Sequence, residues 1–307
     1  MITHYFRTIK DTELKTLDAI RTGVWTHVVA PTQEEVAAIT KELALDEAIL
    51  EDARDFFEVP RMERSGGATY FFTRYPYDEK QEDSGTAPLL IVMGESFVLT
   101  FALREVPQFN AFIEGKTEVV TTQKAKFFIQ IIDSITASFE KELIRFRKSV
   151  QRDRARLRRI GSREIERLVN FENDLNDIVS ALVPTNSSLQ QITNGNYLQL
   201  YNEDVELMHD LMIANNQLVD SARSVLKSIQ NIRTAAESIL TSKLNLTIRT
   251  LTVITILLTI PTIIASLYGM NVPLPLENNP HAFWIVLGSI VGTVLTVILL
   301  FKYHKWL

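Results

Sequence analysis

The feature that most constrains this chain is a helical stretch that changes from amphipathic to wholly apolar. Between Glu203 and Lys243 no Pro or Gly occurs, and apolar residues recur at the three- and four-residue spacing of a helix. From Leu251 to Tyr268 there is no formal charge, and a helix of that length spans roughly 27 Å, close to a bilayer's hydrocarbon thickness. We predict one helix of about 66 residues that begins in water and ends in lipid, and that packs against copies of itself or a partner.

The apolar end of this helix carries a row of hydroxyl side chains. Their positions step by three and four residues, which places them on one face at the coiled-coil period: Thr252, Thr255, Thr259, Thr262 and Ser266. Asn245 extends the row by one heptad toward the N-terminus. Because a hydroxyl gains nothing from facing hydrocarbon, the row should face other helices or water. Two interpretations stay open: contact between helices, and the lining of a pore.

A second uncharged segment, from Ala282 to Phe301, is also long enough to cross a bilayer. Basic residues flank the two spans on one side: Lys243, Arg249, Lys302, His304 and Lys305. The connection at 272–281 has no Lys or Arg, so the positive-inside rule predicts cytoplasmic termini and an outer loop. We expect the second span to face lipid, and Gly288 and Gly292 to allow its close approach to the first span.

The N-terminal part is predicted to be an α+β domain. Four short runs are typical of strands, and in series they favour an antiparallel or mixed sheet: 24–30, 68–75, 88–93 and 96–103. The polar segment at 78–85 is predicted to separate the second run from the third. Thr32, with Glu35 three residues later, has the spacing of a capping box at the start of a helix.

Two helical stretches follow, at 124–160 and 162–182. We expect Pro184 to end the second and 185–196 to form a link. The first carries a run of arginines, but interleaved acids and missing aromatic partners favour a solvated hairpin over a nucleic-acid surface, so no nucleic-acid partner is predicted.

The predicted organisation of the whole chain has six parts. They are a cytoplasmic α/β domain at 1–120, its helical hairpin at 121–200, a stalk helix continuing into the first span at 201–270, an outer loop at 271–281, the second span at 282–301 and a basic tail at 302–307.

The composition narrows the classes of function. The chain has no cysteine, so disulfides and thiolate metal sites are excluded. Its first residues lack the apolar core of a signal peptide, which predicts that the N-terminal part is not exported. It shows no phosphate loop, nucleophile elbow or paired-histidine motif, and the predicted function is therefore not enzymatic.

The motif Tyr268-Gly269-Met270-Asn271 closes the first span and precedes a short loop, the second span and a basic tail. Placed behind an α/β domain and a long helix, this order resembles the CorA family of divalent-cation channels, which carry Mg²⁺ and can pass Co²⁺ and Ni²⁺. The resemblance implies a homopentamer in the cell membrane, with a funnel of cytoplasmic domains, an inner ring of stalk helices and an outer ring of second spans. It also implies Mg²⁺ as the transported and regulatory ion, with no organic cofactor.

The resemblance implies roles for particular residues of the membrane part. Asn271 would meet the hydrated cation at the outer mouth, Met270 would belong to the same filter, and Gly269 would supply a tight exit from the helix. The implied pore-facing positions overlap the hydroxyl row: Asn245, Leu251, Thr255, Thr259, Thr262 and Ser266. Thr259 stands where well-known members have a bulky Met, so Leu251 is our candidate for the narrowing.

Acidic residues of the cytoplasmic part resemble the family's regulatory sites. Glu51 and Asp52 precede Pro60, and Asp210 lies on the stalk. Carboxylates that meet across a subunit boundary repel until a hard cation neutralises them, so cytosolic Mg²⁺ would hold the channel shut. These acids can instead merely solvate helix surfaces. Glu277 in the outer loop is expected to concentrate cations at the entrance.

Two further readings compete with the Mg²⁺ channel. A Zn²⁺ transporter of the ZntB type shares the architecture but usually varies the middle residue of the signature, and Met270 argues against it. A membrane-anchored scaffold, whose helices oligomerise without conducting ions, would be indifferent to the loss of Asn271.

Overall fold

The computed structural model of this protein describes residues 1–79, 83–155, 161–195, 197–275 and 279–304. The chain forms two compact units, Met1–Ile232 and Arg233–Leu307. The first unit is an α+β domain with long helices, and the second contains the two apolar helical segments. The predicted fold class is confirmed.

A seven-stranded sheet organises the first unit. Its strands are β1 (Ile2–Phe6), β2 (Lys15–Leu17), β3 (Val24–Val29), β4 (Met62–Ser65), β5 (Ala68–Glu79), β6 (Asp83–Met93) and β7 (Phe97–Ala102). The spatial order is β2-β1-β3-β7-β6-β5-β4, and only β3 and β7 run parallel. The sheet is mixed, which is one of the two arrangements that the sequence favoured.

The hairpin of β5 and β6 is longer than its apolar residues predict. Pairing continues outward through Tyr77 opposite Gly85 to Glu79 opposite Asp83, in the segment predicted to separate the strands. Backbone hydrogen bonds between the strands therefore extend the ladder beyond the hydrophobic run. Strands β1, β2 and β4 were not predicted, because they are short and only partly buried.

Helices cover both faces of the sheet. On one face, α1 (Gln33–Glu42) and α2 (Glu47–Asp52) share a core with Val24, Tyr70 and Leu90. On the other face, Trp25 and Phe71 pack against aromatic residues of α4 (Lys124–Ala155), with ring centroids 5.1 and 5.0 Å apart. A 3-10 turn (Pro107–Phe109) and α3 (Asn110–Ile113) connect β7 to α4.

The start of α1 confirms the predicted capping box. The Thr32 hydroxyl accepts a hydrogen bond from the Glu35 amide at 3.2 Å, and the Glu35 carboxylate accepts one from the Thr32 amide at 2.9 Å.

Helix α5 (Ser162–Asn194) corrects the prediction that Pro184 ends this helix and that 185–196 is a link. A proline inside a helix costs about 3 kcal/mol. Beyond it, Leu189 and Ile192 are fully buried, and burial of each such side chain contributes about 1.5–3 kcal/mol. The Thr185 hydroxyl lies 3.1 Å from that of Thr73 on β5. Packing on the sheet therefore outweighs the local preference of proline.

Helix α6 runs from Asn202 to Tyr268, a length of 67 residues, and confirms the predicted long helix. Helix α7 (Ala282–Tyr303) has 22 residues, and both helices are long and apolar enough to cross a membrane. Within one chain a Cβ at Gly288 or Gly292 would meet nothing within 4 Å, so the expected close approach to the first span stays a prediction for contacts between copies. Both glycines lie on an exposed part of α7, away from any neighbour in this unit.

Candidate functional site

Four threonine hydroxyls on the apolar part of α6 make the same backbone contact. Each threonine donates to the carbonyl oxygen four residues earlier, at 2.7–2.9 Å: Thr252, Thr255, Thr259 and Thr262. The single hydroxyl proton is thereby used within the helix, and the oxygen's lone pairs remain available as acceptors. With Ser266 these residues form a row, called the hydroxyl seam below, that offers acceptors.

The hydroxyl seam lies mainly on the uncovered side of its helix. Thr255, Thr259, Thr262 and Ser266 are exposed and Thr252 is half-buried. By contrast, Val253 is only 2% exposed. The exposed members therefore do not serve as contacts to the chain's own second span. They can face lipid, another copy of α6 or a water-filled passage, and the last two are favoured because a hydroxyl gains nothing from facing hydrocarbon.

The other two predicted pore positions are also uncovered. Asn245 is exposed, as are all residues at 241–250, and Leu251 is 63% exposed. Leu251 is the apolar residue that immediately precedes the seam, and its carbonyl oxygen accepts the hydroxyl of Thr255.

The signature motif follows directly on the helix end. The Gly269 amide donates to the carbonyls of Ala265 and Ser266, at 3.0 and 3.2 Å, and the Met270 amide donates to Leu267 at 3.3 Å. The helix tightens at Gly269 into i to i+3 bonds without a positive φ, and the role of this glycine in the exit from the helix stays a prediction. Asn271 is exposed.

The predicted regulatory acids lie on two elements of the first unit. Glu51 and Asp52 end α2, where they pair with Arg54 at 3.0 Å and with Arg61 at 2.7 Å. Asp210 is exposed on α6. Among the residues that the structure describes, no group of three or more His, Asp or Glu side chains is placed to hold a metal ion. One protomer therefore does not bring these acids together as a site, and Glu277 lies outside the described residues.

Hydrogen bonds fix where α2 begins. The Asp46 carboxylate accepts from the Ala48 amide at 3.1 Å and from the Ser65 hydroxyl at 2.7 Å. The Ser65 hydrogen bond is the main reason that the pKa of Asp46 is lowered. This cap ties α2 to strand β4 and sets the direction in which Glu51 and Asp52 point.

Sequence reasoning missed Arg61. Its guanidinium pairs with Asp52, Glu58 and Glu63, and it also lies over the ring of Phe72 at 4.1 Å. Arg61 thus holds the end of α2 against the following loop. No helical or strand spacing links positions 52 and 61, so the sequence carried no signal for this contact.

The architecture is an α+β domain followed by two C-terminal helical segments that are long and apolar enough to cross a membrane. A family model described as "CorA-like Mg2+ transporter protein" matches residues 21–303. The chain belongs to this CorA-like family of membrane transporters, whose transported ion is Mg²⁺ and which is not a class of enzymes.

Individual relatives agree with this assignment. The chain is 25% identical over 295 residues to the cobalt/magnesium transport protein CorA of Methanocaldococcus jannaschii, covering 92% of this chain and 91% of that protein. It is similar to the complete structure of the CorA magnesium transporter from M. jannaschii, with a TM-score of 0.86, 21% identity and coverage of 100% and 99%. The cytoplasmic domain of ZntB from Vibrio parahaemolyticus matches with a TM-score of 0.63 and 10% identity, covering 77% of this chain and 96% of that domain.

Proposed function

We propose that this protein is a channel through which Mg²⁺ enters the cell passively, and that it can also pass Co²⁺ and Ni²⁺. It works as a homopentamer in the cell membrane with cytoplasmic termini, five copies of α6 inside and five of α7 outside. The observation that carries the proposal is the hydroxyl seam, which lies on the uncovered side of α6 and leads to Asn271. Membership of the family and the sequence relative from M. jannaschii support the choice of ion.

The chemistry of the seam suits a hydrated cation. Mg²⁺ gives up its water reluctantly, so its outer surface is a shell of water hydrogens that need acceptors. The threonine oxygens offer acceptors because their protons are already bonded to backbone carbonyls. The side-chain oxygen of Asn271 adds a neutral acceptor at the outer mouth. Neutral acceptors hold the water shell weakly enough for the ion to leave.

Passive entry needs no coupled reaction. Moving one elementary charge through 100 mV is worth about 2.3 kcal/mol, so a divalent ion gains about 5 kcal/mol on entering a cell with a negative interior. The ring that Leu251 forms just before the seam is the proposed hydrophobic narrowing, which blocks ions when it is too tight to stay wet. Glu277 in the outer loop would raise the local cation concentration.

Regulation by cytosolic Mg²⁺ uses the acids of the first unit. Carboxylate oxygens are the ligands that Mg²⁺ prefers, so Glu51, Asp52 and Asp210 fit this ion chemically. Two carboxylates about 4 Å apart repel by about 4 kcal/mol at an effective dielectric constant of 20. When the acids of α2 meet Asp210 of a neighbouring copy, a bound Mg²⁺ removes this repulsion and favours the closed assembly. Asp210 and the hydroxyl seam both lie on α6, so Mg²⁺ binding at Asp210 would act on the seam through one continuous helix.

The test is Mg²⁺ flux into proteoliposomes that contain a Mg²⁺-sensitive dye. Asn271→Ala is expected to abolish flux, whereas Asn279→Ala, an asparagine of the same outer segment, retains it. Asp210→Ala is expected to conduct but to need more cytoplasmic Mg²⁺ for inhibition. Wild-type behaviour of both Asn271→Ala and Asp210→Ala would refute the site assignments.

The same assay separates the competing readings. A Zn²⁺ transporter of the ZntB type would respond in vesicles loaded with a Zn²⁺ dye and stay silent with the Mg²⁺ dye. A scaffold would show no flux of either ion, and Asn271→Ala would leave it unchanged. The likeness to the ZntB domain at 10% identity concerns the fold alone.

A further inference from the structure

The part of α6 that belongs to the first unit buries a regular heptad stripe. Its buried positions follow one another at alternating steps of three and four residues, which is the period of a coiled coil. They are Met208, Leu211, Asn215, Leu218, Ala222, Val225, Ile229 and Ile232, each at most 9% exposed. Asn215 is the one polar side chain in this stripe, and it has no exposed surface. A buried amide among apolar neighbours is costly, so its presence needs a physical account.

Asn215 meets a polar partner on α4. Its side-chain oxygen lies 3.0 Å from the hydroxyl of Thr136, which is buried and also lies 2.9 Å from the carbonyl oxygen of Ile132 in its own helix. The Asn215 side-chain nitrogen is buried and makes no hydrogen bond to any residue that the structure describes. The contact therefore satisfies only part of the amide, whereas a leucine would bury apolar surface without this cost. Stability alone does not account for an asparagine at this position.

The side of α4 that carries Thr136 forms a heptad series of its own. Ile129, Leu143 and Val150 lie at multiples of seven residues from Thr136, and all three are buried. Seven residues are nearly two full turns, so these side chains share one side of the helix. Each helix thus has one polar position in an otherwise apolar series, and the two polar positions contact each other.

Helices α4 and α6 run in the same direction. Besides the contact of Thr136 with Asn215, Arg147 donates a hydrogen bond to the hydroxyl of Ser221. The second contact lies further toward the C-terminus on both helices, as a parallel arrangement requires. A step of seven residues along one helix therefore corresponds to a step of seven residues along the other.

The apolar residues by themselves permit more than one register between these helices. If α6 slipped by seven residues, about 10 Å, its apolar residues would again lie opposite apolar residues of α4. Asn215 would then lie opposite Ile129 or Leu143 and lose its partner. Thr136 would keep its hydrogen bond to Ile132. The cost of a slip therefore falls on Asn215.

We propose that Asn215 is a positioning residue that fixes the register of α6, the helix that carries the hydroxyl seam, against α4. A single buried asparagine in a heptad stripe is a physical device that selects register at some cost in stability. Two other hydrogen bonds of this part of α6, from Asn186 to Asn216 at 2.9 Å and from Arg147 to Ser221, are exposed, and water competes for their groups. The buried contact therefore makes the selection. This role concerns the first unit and is independent of the proposed function.

Paired cysteines report the register in the full-length protein, whose sequence has none of its own. Leu143→Cys/Ala222→Cys reports the observed register, because each position lies seven residues beyond one member of the polar pair. Val150→Cys/Ala222→Cys and Leu143→Cys/Ile229→Cys report the two slipped registers. In the observed register, the residues of these two pairs are separated by about 10 Å along the helix axis, which is beyond the reach of a disulfide. After oxidation in membranes, peptide mass spectrometry of the monomer band quantifies each disulfide.

With Asn215 in place, only the pair at 143 and 222 is expected to form a disulfide. Asn215→Leu should raise the yield of at least one slipped disulfide by about tenfold, which corresponds to about 1.4 kcal/mol in register preference. Asn215→Ala should show the same slip, which excludes an effect of the size of leucine. The matched control Asn216→Leu changes the neighbouring exposed asparagine and should leave the pattern unchanged. The exchange Thr136→Asn/Asn215→Thr restores a polar pair and should suppress the slipped disulfides.

Thermal unfolding in detergent separates positioning from stability. Asn215→Leu is expected to melt no lower than wild type, because it removes a partly satisfied amide from the core. An asparagine that only stabilised the fold would instead lower the melting temperature when replaced and leave the disulfide pattern unchanged. Two results would overturn the proposal: slipped disulfides that stay as rare in Asn215→Leu and Asn215→Ala as with Asn215 in place, or slipped disulfides that rise equally in Asn216→Leu.

Discussion

The two units of this chain differ in how far they bury their apolar side chains within the chain. In Met1–Ile232, the large side chains of the sheet are buried within the chain, and Trp25, Phe71 and Phe128 have no exposed surface. Among the described residues after Ile232, only Ala236 and Val253 are buried. The second unit is nevertheless the more apolar, since α7 has no fully buried residue and a mean hydropathy of 2.5 over its span.

The contrast shows where each unit obtains its stability. The first unit gains from burying its own apolar surface, as soluble domains do. The second gains nothing comparable from its own chain, so lipid and further copies must cover it. Mutations should therefore act on folding in the first unit and on assembly or flux in the second.

The largest expected effect tests this division by removing one aromatic ring from each unit. Phe128→Ala should destabilise the first unit by about 3–5 kcal/mol, because it leaves a cavity against Phe71. Phe283→Ala, where the ring is 68% exposed, should leave that unit's stability unchanged. Urea-dependent hydrogen exchange of β5 peptides in detergent measures both. Equal destabilisation of β5 by the two variants would contradict the claim that the first unit is stabilised by its own buried side chains.

A second effect concerns pH and belongs to the first unit alone. Burial lowers the pKa of His27 from 6.5 to about 4, and the ring lies against Trp25, Phe109 and the Thr100 hydroxyl. In the unfolded chain, His27 therefore becomes protonated as the pH falls below 6.5, whereas in the folded chain it becomes protonated only near pH 4. The free energy of unfolding should be at its maximum above pH 6.5 and should fall as the pH drops, by about 2 kcal/mol at pH 5.

Urea unfolding midpoints at pH 7 and pH 5 measure this slope. Glutamine does not titrate, so His27→Gln should remove most of this pH dependence, whatever the absolute stability of the variant. An unchanged slope in that variant would assign the acid sensitivity to other groups.

A third prediction sharpens the comparison within the second unit. Thr255→Val keeps the shape of the side chain but removes one acceptor from the hydroxyl seam, and we expect Mg²⁺ flux to fall about tenfold, or about 1.4 kcal/mol. Thr293→Val is the matched control, because Thr293 on α7 makes the same bond to the carbonyl four residues earlier. Proteoliposome flux compares them. A similar loss in both variants would argue against a special role for the seam.

The smallest expected effect is at the cap of α1. Thr32→Ala should cost the first unit about 1 kcal/mol, because the amide of Glu35 loses its acceptor. Thr32→Ser keeps the hydroxyl and should be nearly neutral. Thermal unfolding followed by circular dichroism resolves the two, and neither is expected to alter flux per folded protein.

The sequence by itself determined the long helix, the two spans, the hydroxyl seam and the order of elements that resembles the family. These features depend on periodicity and on hydrophobic length, which can be read from consecutive residues. The domain boundaries and the roles of Asn271 and the seam stay predictions.

Only the tertiary structure decided the rest. Helix α5 continues through Pro184 because its later residues pack on the sheet, and β3 pairs in parallel with the distant β7. Arg61 binds Asp52, and Arg74 fixes the loop that exposes Phe57. Each of these depends on residues that are far apart in sequence or follow no regular spacing, and their free energies appear only once the chain has folded.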